Sequence, residues 1–220
     1  MQNQLLKEAN EFQEKLSAWR RALHQIPEIG LHLPKTVAFV KKELEQMDIP
    51  YTVYEESSCI VALIGSGEKC FMLRSDMDAL PVREESGEPF ASENGCMHAC
   101  GHDMHTTTLL GAAKLLKSHE RELRGTVKLL FQSAEETFQG AKAAVDAGVL
   151  ENPRVDAAFA MHVAPNSENK KIIYGEYPMT SVYGFRILLT GKGTHGSAPE
   201  LGIDPINAGV HLYLALQELI

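Results

Sequence analysis

The spacing of apolar residues predicts helices at the start of the chain. Within the first 25 residues, apolar positions recur at helical steps and predict a single helix: Leu5, Phe12, Leu16, Trp19 and Leu23. Pro27 ends this pattern. A second helix is expected over residues 34–47, because Pro34 suits the first turn of a helix.

Short apolar runs after residue 50 predict strands that alternate with helices. The expected strands are residues 51–54, 60–64, 71–73, 127–131 and 155–160. A Gly65-Ser66-Gly67 turn suggests that the second and third of these form a hairpin. Helices are expected over residues 104–118 and 140–147. This alternation predicts an α/β fold with a mixed or parallel central sheet and flanking helices.

A domain boundary is expected near residues 176–183, which divides the chain into domains 1–180 and 181–220. A new strand is predicted over residues 185–189, and a glycine-rich segment follows over residues 191–199. Asp204 and Pro205 then open a helix that is expected to reach the last residue. One strand and one helix cannot bury a core alone, so the second domain is expected to be incomplete.

Composition and charge exclude several classes of function. The 220 residues carry a net charge of −8 and show no basic patch, which argues against a nucleic-acid partner. No apolar run approaches the ~18 residues of a membrane span, and the first residues lack a secretory apolar region. Four cysteines are too few for a disulfide scaffold, so a reducing cytoplasm is predicted, with Cys59 and Cys70 as buried thiols.

The segment 97–105 concentrates metal-binding chemistry in nine residues. It holds one thiol, three imidazoles and a carboxylate, in the order His98, Cys100, His102, Asp103 and His105. A mixture of thiol, imidazole and carboxylate donors indicates a transition-metal site with an open position for chemistry. At this helix entrance a thiolate is favoured. The spacing leaves open whether each histidine is a ligand, a partner of a ligand or a surface residue.

Further candidates follow the ends of the predicted strands, where sites gather in open α/β sheets. Asp76 and Asp78 follow one strand, Glu135 and Glu136 the next, and His162 the last. Of the adjacent glutamates, one can bind metal while the other faces substrate as a general base. One aspartate could orient a ligand imidazole. Taken singly, the glutamates could equally be a solvated turn and His162 a hydrogen-bonded core residue.

Together these motifs resemble one family of enzymes. Segments 74–81, 97–105, 131–136, 161–162 and 191–199, with the opening segment 19–28, are similar in order and spacing to the metal-dependent amidohydrolases. That family includes hippurate hydrolase, N-acyl-L-amino-acid amidohydrolase and the plant auxin–amino-acid conjugate hydrolases. The resemblance implies a di-metal aminopeptidase-like catalytic domain, followed by the start of a ferredoxin-like α+β lid or dimerisation domain.

The resemblance also implies roles for individual residues. Two divalent ions are implied, Mn or Zn with Co or Ni as alternatives, and the implied ligands are Cys100, His102, Glu136 and His162. Glu135 is the implied general base, and Asp78 the implied support of the metal-binding shell. His195 matches a lid histidine that stabilises the oxyanion in a partner subunit's site. The implied substrate is a small N-acyl amino acid, and the implied full-length form is a homodimer.

Family members are nearly twice as long, and their last metal-binding histidine lies beyond Ile220. The chain is therefore expected to be the N-terminal portion of such an enzyme. One alternative is a metal-binding but inactive fragment. Another is a thiol hydrolase with Cys100 as its nucleophile, which would leave Glu136 and His162 without a role.

Overall fold

The computed structural model describes residues 2–168, 170–175 and 184–219, and the chain divides into two compact units. The first unit is Met1–Asn166 and the second is Ser167–Ile220. The whole boundary segment expected from the sequence, residues 176–183, lies outside the described residues. Within the described ranges, no helix is both long enough and apolar enough to cross a membrane.

The helices of the first unit agree with the apolar pattern, except at the start of the chain. The single helix expected there is wrong: the structure has α1 (Gln2–Glu11) and α2 (Gln13–His24), separated at Phe12. At this residue ψ opens to 0°, which interrupts the regular helix. The remaining helices of this unit are α3 (Pro34–Gln46), α4 (His102–Ser118) and α5 (Gly140–Asp146).

Five strands form one mixed sheet in the first unit. They are β1 (Tyr51–Tyr54), β2 (Cys59–Gly65), β3 (Cys70–Asp76), β4 (Thr126–Gln132) and β5 (Ala157–Ala160). Their order across the sheet is β1-β2-β4-β3-β5. β2 is antiparallel to β1 and β4, whereas β3 is parallel to both β4 and β5. The mixed α/β architecture expected from the sequence is therefore confirmed.

The expected hairpin between β2 and β3 is wrong, because β4 lies between these strands. The connection crosses the start of β4, where the Thr126 N–H donates to the Lys69 carbonyl at 2.8 Å. Close backbone packing permits the crossing: a Cβ on Gly65 would lie 2.7 Å from the Gly125 oxygen. β4 is buried along nearly its whole length, which suits the centre of a sheet better than an edge.

Helices cover the sheet on both faces. Residues of α2, α3 and α4 form the larger apolar cluster with β2 and β4, and its fully buried members include Val40, Leu44, Ile60, Leu110 and Phe131. α5 contributes Ala144 to a smaller cluster on the other face. Cys59 and Cys70 are buried thiols, as predicted. These two layers fix the sheet whose strand ends carry the candidate ligands.

The second unit differs from the expectation in its first element. The strand predicted over residues 185–189 is wrong, since the described residues of this unit form only one isolated bridge, between Lys192 and Ile203. An apolar strand needs a neighbouring strand, and none accompanies this segment in the described part of the unit. Helix α6 (Pro205–Gln217) follows Asp204, whose Oδ1 accepts from two backbone N–H groups of the first turn. The helix ends at Gln217 and not at the last residue.

Candidate metal centre

The candidate ligands lie where three parallel strands end at one edge of the sheet. β3 ends at Asp76, β4 leads into Glu135 and Glu136, and β5 leads into His162. Because β3 is parallel to both β4 and β5, these carboxyl ends point the same way. The first turn of α4 adds His102 to the same place. The sheet topology thus assembles groups separated by more than 80 positions of sequence.

His102 is the centre of this cluster. The side chain is fully buried, and neither ring nitrogen makes a hydrogen bond among the residues that the structure describes. Its Nε2 lies 3.8 Å from Glu136 Oε1 and 3.9 Å from Glu135 Oε2. These separations exceed a hydrogen bond, but they match two donors that share one ion through bonds of about 2.1 Å. Glu136 Oε1 is likewise buried without a partner in the described chain.

Cys100 and His162 lie beside His102. Their Sγ and Nε2 atoms are 3.4 Å apart, and the donor atoms of Cys100, His102 and His162 all fall within 4.8 Å of one another. The Nδ1–H of His162 donates to the Val163 carbonyl at 2.7 Å, which leaves Nε2 as the nitrogen with a free lone pair. The structure therefore brings together the four side chains that the resemblance implied as ligands.

Gly101 sets the approach between Cys100 and His162. Its φ of +90° lies in the left-handed region, and a Cβ at this position would meet Val163 Cγ2 at 2.6 Å. Glycine is therefore needed both for the turn into α4 and for the close contact with Val163. Sequence reasoning gave Val163 no role, and the spacing of residues offers no signal for this contact.

Asp78 ties the glutamate pair to the loop that follows β3. Its Oδ1 accepts from the backbone N–H of Glu135 and its Oδ2 from that of Glu136, both at 3.0 Å. Oδ1 also lies 3.5 Å from Nδ1 of His102. This fully buried carboxylate thus faces the ring nitrogen of His102 that points away from the glutamates.

The spacing left several roles open for His98 and His105, and the structure reduces them. The Nδ1–H of His105 donates to Asp76 at 2.6 Å, and its Nε2 accepts from the Val163 N–H at 2.9 Å. Although Asp76, His102 and His105 have donor atoms close together, both nitrogens of His105 are already used within the protein. His98 is also buried, and it belongs to no cluster of donors in the described residues. Neither histidine is a surface residue.

Charges around the site shift the acidity of its carboxylates. Burial opposes ionisation of Asp76, but the hydrogen bond from His105 and the charges of His102 and Arg74 lower the pKa of Asp76 to about 2. Burial, with smaller contributions from Asp76 and Glu136, raises the pKa of Glu135. A carboxylate with a raised pKa is suited to accepting and releasing a proton near neutral pH.

The same charges act on His102 and Cys100. Burial disfavours a charged His102 ring, yet the carboxylates of Asp78 and Asp76 outweigh it and raise the pKa of His102. Burial and the charge of Glu136 raise the pKa of the Cys100 thiol to about 12. A thiol of that pKa is not a nucleophile at neutral pH, whereas a bound cation would favour the thiolate.

His195 belongs to the second unit, where it is exposed within the glycine-rich segment 191–199. Its Nδ1 accepts from Ser197, at 2.8 Å from the hydroxyl and 3.3 Å from the backbone nitrogen. The role that the resemblance implied for His195 therefore stays a prediction.

Comparison with known proteins agrees with this arrangement. The model of peptidase family M20/M25/M40 matches residues 72–215. The chain is 44% identical over 218 residues to IAA-amino acid hydrolase ILR1-like 4 of Arabidopsis thaliana, covering 98% of this chain and 49% of that protein. It is 39% identical over 212 residues to N-acetyl-L-cysteine deacetylase of Bacillus subtilis, covering 94% of this chain and 50% of the relative.

A solved structure adds information about the site. The chain resembles the YXEP protein of Bacillus subtilis, described as a dinuclear metal binding peptidase from the M20 family, with a TM-score of 0.68 and 38% identity. That match covers 71% of this chain and 45% of the other. The chain belongs to peptidase family M20/M25/M40, and the resemblance drawn from the motifs is confirmed. It spans about half the length of the curated relatives it matches.

Proposed function

We propose that the protein hydrolyses the amide bond of small N-acyl amino acids with the help of two divalent metal ions. The observation that carries the proposal is the set of donors around His102. Its buried nitrogens have no hydrogen-bond partner among the described residues, and Nε2 faces Glu135 and Glu136 at distances that suit a shared ion. The names of the relatives supply the substrate class, since two of them are an amino acid conjugate hydrolase and an N-acetyl amino acid deacetylase.

The donor set fits such ions chemically. Cys100, His102 and His162 offer one sulfur and two imidazoles, while Glu136 offers a carboxylate that can share the site. Sulfur and nitrogen donors suit zinc, and the mixture with carboxylate also admits manganese, cobalt or nickel. Two ions are proposed because the similar YXEP protein is described as a dinuclear metal binding peptidase; Nε2 of His102, with its single lone pair, can bind one of them.

The remaining roles follow from what each side chain can do. Bound divalent ions would supply a water of pKa about 7 and would polarise the scissile carbonyl. Glu135 accepts the proton of that water and passes it to the leaving amine, a transfer that its raised pKa favours. Asp78 holds the backbone of both glutamates, which keeps Glu135 and Glu136 directed to their separate tasks.

Three further expectations belong to the same proposal. His195, contributed by a partner subunit, donates a hydrogen bond to the oxyanion. The full-length protein is a homodimer. It works in the cytoplasm, as the sparse cysteines predict.

The decisive experiment measures metal content and hydrolysis on the same preparation. The purified full-length protein is stripped with a chelator and titrated with Zn²⁺, Mn²⁺ or Co²⁺. It is then assayed with N-acetyl-L-cysteine and N-benzoylglycine, with the unacylated amino acids as controls. The proposal expects two ions per chain and hydrolysis that a chelator abolishes.

The other results decide between the alternatives. Metal binding without hydrolysis would support the inactive metal-binding fragment. Hydrolysis that survives the chelator and stops on alkylation of Cys100 would support the thiol hydrolase. Absence of metal binding would overturn the proposal.

A further inference from the structure

The chain between α2 and α3 has no part in the site, although the sequence analysis singled it out within the segment 19–28. In the structure it contacts both halves of the long connection from β3 to α4, residues 77–101. The Glu28 carbonyl accepts from the Ala79 N–H at 2.8 Å, next to Asp78. The Pro27 carbonyl accepts from Asn94 Nδ2 at 2.8 Å. This segment therefore borders the loop that carries Cys100.

His24, the last residue of α2, makes the most buried of these contacts. Its Nδ1 lies 2.7 Å from Asp103 Oδ2, and its Nε2 lies 3.1 Å from Glu84 Oε1. The side chains of His24, Asp103 and Glu84 are 3%, 0% and 1% exposed. One imidazole thus joins two buried carboxylates, one on each of the elements that meet at the metal centre.

Asp103 connects this bridge to the metal-binding segment. It lies in the first turn of α4, directly after His102, and its Oδ1 accepts from the Met104 N–H at 2.9 Å. Arg20 Nε lies 2.8 Å from the same Oδ2 that His24 engages. The first turn of α4 is therefore held from α2 by two side chains.

Glu84 connects the bridge to the loop. Besides His24, its carboxylate accepts from the Ser92 N–H at 2.6 Å and from the Ser86 hydroxyl at 2.5 Å. Phe90 packs edge-on to the His24 ring at 5.7 Å. The loop is thus folded around Glu84, and His24 fixes that folded loop to the helix.

We propose that His24 is a positioning residue of the metal centre. By joining Glu84 of the loop to Asp103 of α4, it keeps the loop end that carries Cys100 in register with the helix that carries His102. The inference rests on the proposed metal site, but it concerns residues that offer no donor to the ion. Loss of a partner that hydrogen-bonds a ligand directly typically weakens metal binding about 10–100-fold, and His24, which acts through Asp103 and Glu84, is expected at the lower end of that range.

The chain offers a matched control at the other end of the same helix. His119 follows the last residue of α4 and also joins two carboxylates, Glu8 at 2.7 Å and Glu122 at 2.8 Å. His24→Ala and His119→Ala therefore each remove an imidazole between two carboxylates, at opposite ends of α4. Only the first is expected to change the metal centre.

The experiment titrates the metal-free protein and its variants with Co²⁺ alone. It records the dissociation constant and the charge-transfer absorption of the cobalt–thiolate bond. His24→Ala should weaken Co²⁺ binding about 10-fold and reduce that absorption, while His119→Ala should match the wild type in both. Urea unfolding of each metal-free variant separates loss of stability from loss of the site.

Two conservative variants keep the test valid if His24→Ala does not fold. Asn can reproduce the Nδ1 contact to Asp103, and Gln can reproduce the Nε2 contact to Glu84. His24→Asn and His24→Gln should each bind Co²⁺ more weakly than the wild type. Both should bind Co²⁺ more tightly than His24→Ala, which lacks both contacts. Wild-type affinity and spectrum in His24→Asn and His24→Gln, or in His24→Ala, would overturn the inference while leaving the metal site standing. A wild-type protein that binds no Co²⁺ would overturn the metal site and the inference with it.

Discussion

The carboxylate of Asp78 accepts the backbone N–H of Glu136 at 3.0 Å, and this bond joins the ends of two neighbouring parallel strands. The other carboxylate oxygen of Asp78, Oδ1, accepts the backbone N–H of Glu135, also at 3.0 Å. Adjacent residues with different proposed tasks are thus held by one buried side chain. Asp78 thus holds Glu135 and Glu136 through their backbone N–H groups and not through their own side chains.

Replacing Asp78 with Asn should disturb both glutamates together. The amide oxygen of Asp78→Asn can accept one N–H, but its NH₂ group would face the other, leaving a buried donor unpaired. That loss costs about 1–3 kcal/mol in the free energy of unfolding. Metal affinity should fall about 10–100-fold. Calorimetric metal titration and urea unfolding measure the two effects, and wild-type values in both would contradict this account of Asp78.

Glu135 and Glu136 should respond differently to the same substitution. In an active form of the enzyme, Glu135→Gln should retain metal and lose turnover by about 10²–10⁴-fold, because an amide cannot accept the proton of water. Glu136→Gln should weaken metal binding instead. Steady-state kinetics with metal analysis of the same samples checks both variants. Near-normal turnover of fully loaded Glu135→Gln would show that the base is another residue.

Gly101 and Val163 should be energetically coupled. Gly101→Ala places a Cβ in the left-handed region, at about 1–2 kcal/mol, and adds a clash with the Val163 side chain. Val163→Ala removes the contacting methyl groups, so the double variant should be more stable than the sum of the single changes predicts. A double-mutant cycle by urea unfolding measures this coupling, and strict additivity would refute it.

Lys128 should be essential to the side of the sheet away from α4. Its ammonium group is buried and donates to three carbonyls, those of Val149, Glu151 and Pro153, at 2.7–2.8 Å. Lys128→Met leaves these acceptors unpaired and should lower the free energy of unfolding by on the order of 3 kcal/mol. The control is Lys142→Met, whose side chain is 78% exposed and should change stability by less than about 0.5 kcal/mol. Equal effects of the two variants would contradict the prediction.

The bridge made by His119 should stabilise the fold near pH 6 and not near pH 9. Hydrogen bonds to Glu8 and then Glu122 raise the pKa of His119 in the folded state. The stabilisation is therefore complete below the unfolded pKa of about 6.5 and is lost as pH rises through the higher folded pKa. His119→Ala should reduce the free energy of unfolding at about pH 6 and leave it unchanged at about pH 9. A pH-independent difference would mean that packing, not charge, is the cause.

The sequence predicts where the helices and strands lie better than it predicts which strands pair with each other. The strand at residues 51–54 appears with the expected bounds, because four residues between turn signals leave little choice. The pairing of β2 and β3 fails, because an apolar run does not specify which other run lies beside it. The strand at residues 185–189 fails for the related reason that a strand depends on a partner.

The candidate site shows the same division. The sequence motifs indicate which side chains form the site, and the predicted strands indicate that the site lies at their carboxyl ends. They cannot show that His105 uses both nitrogens within the protein, because its partners Asp76 and Val163 lie 29 and 58 positions away. The contact of His24 with Asp103, across 79 positions, is equally invisible in the sequence.

The central place of β4 has a consequence for synthesis of the chain. β2 ends at Gly65 and β3 at Asp76, but the strand that both must pair with starts only at Thr126. At about 5–20 residues per second, a ribosome needs on the order of 3–12 s to reach it after β2. During that interval two apolar strands emerge with open edges, the form of chain most prone to aggregate. Production of the protein should therefore depend on chaperones that shield these strands until β4 arrives, and slower translation, which lengthens the interval, should increase aggregation.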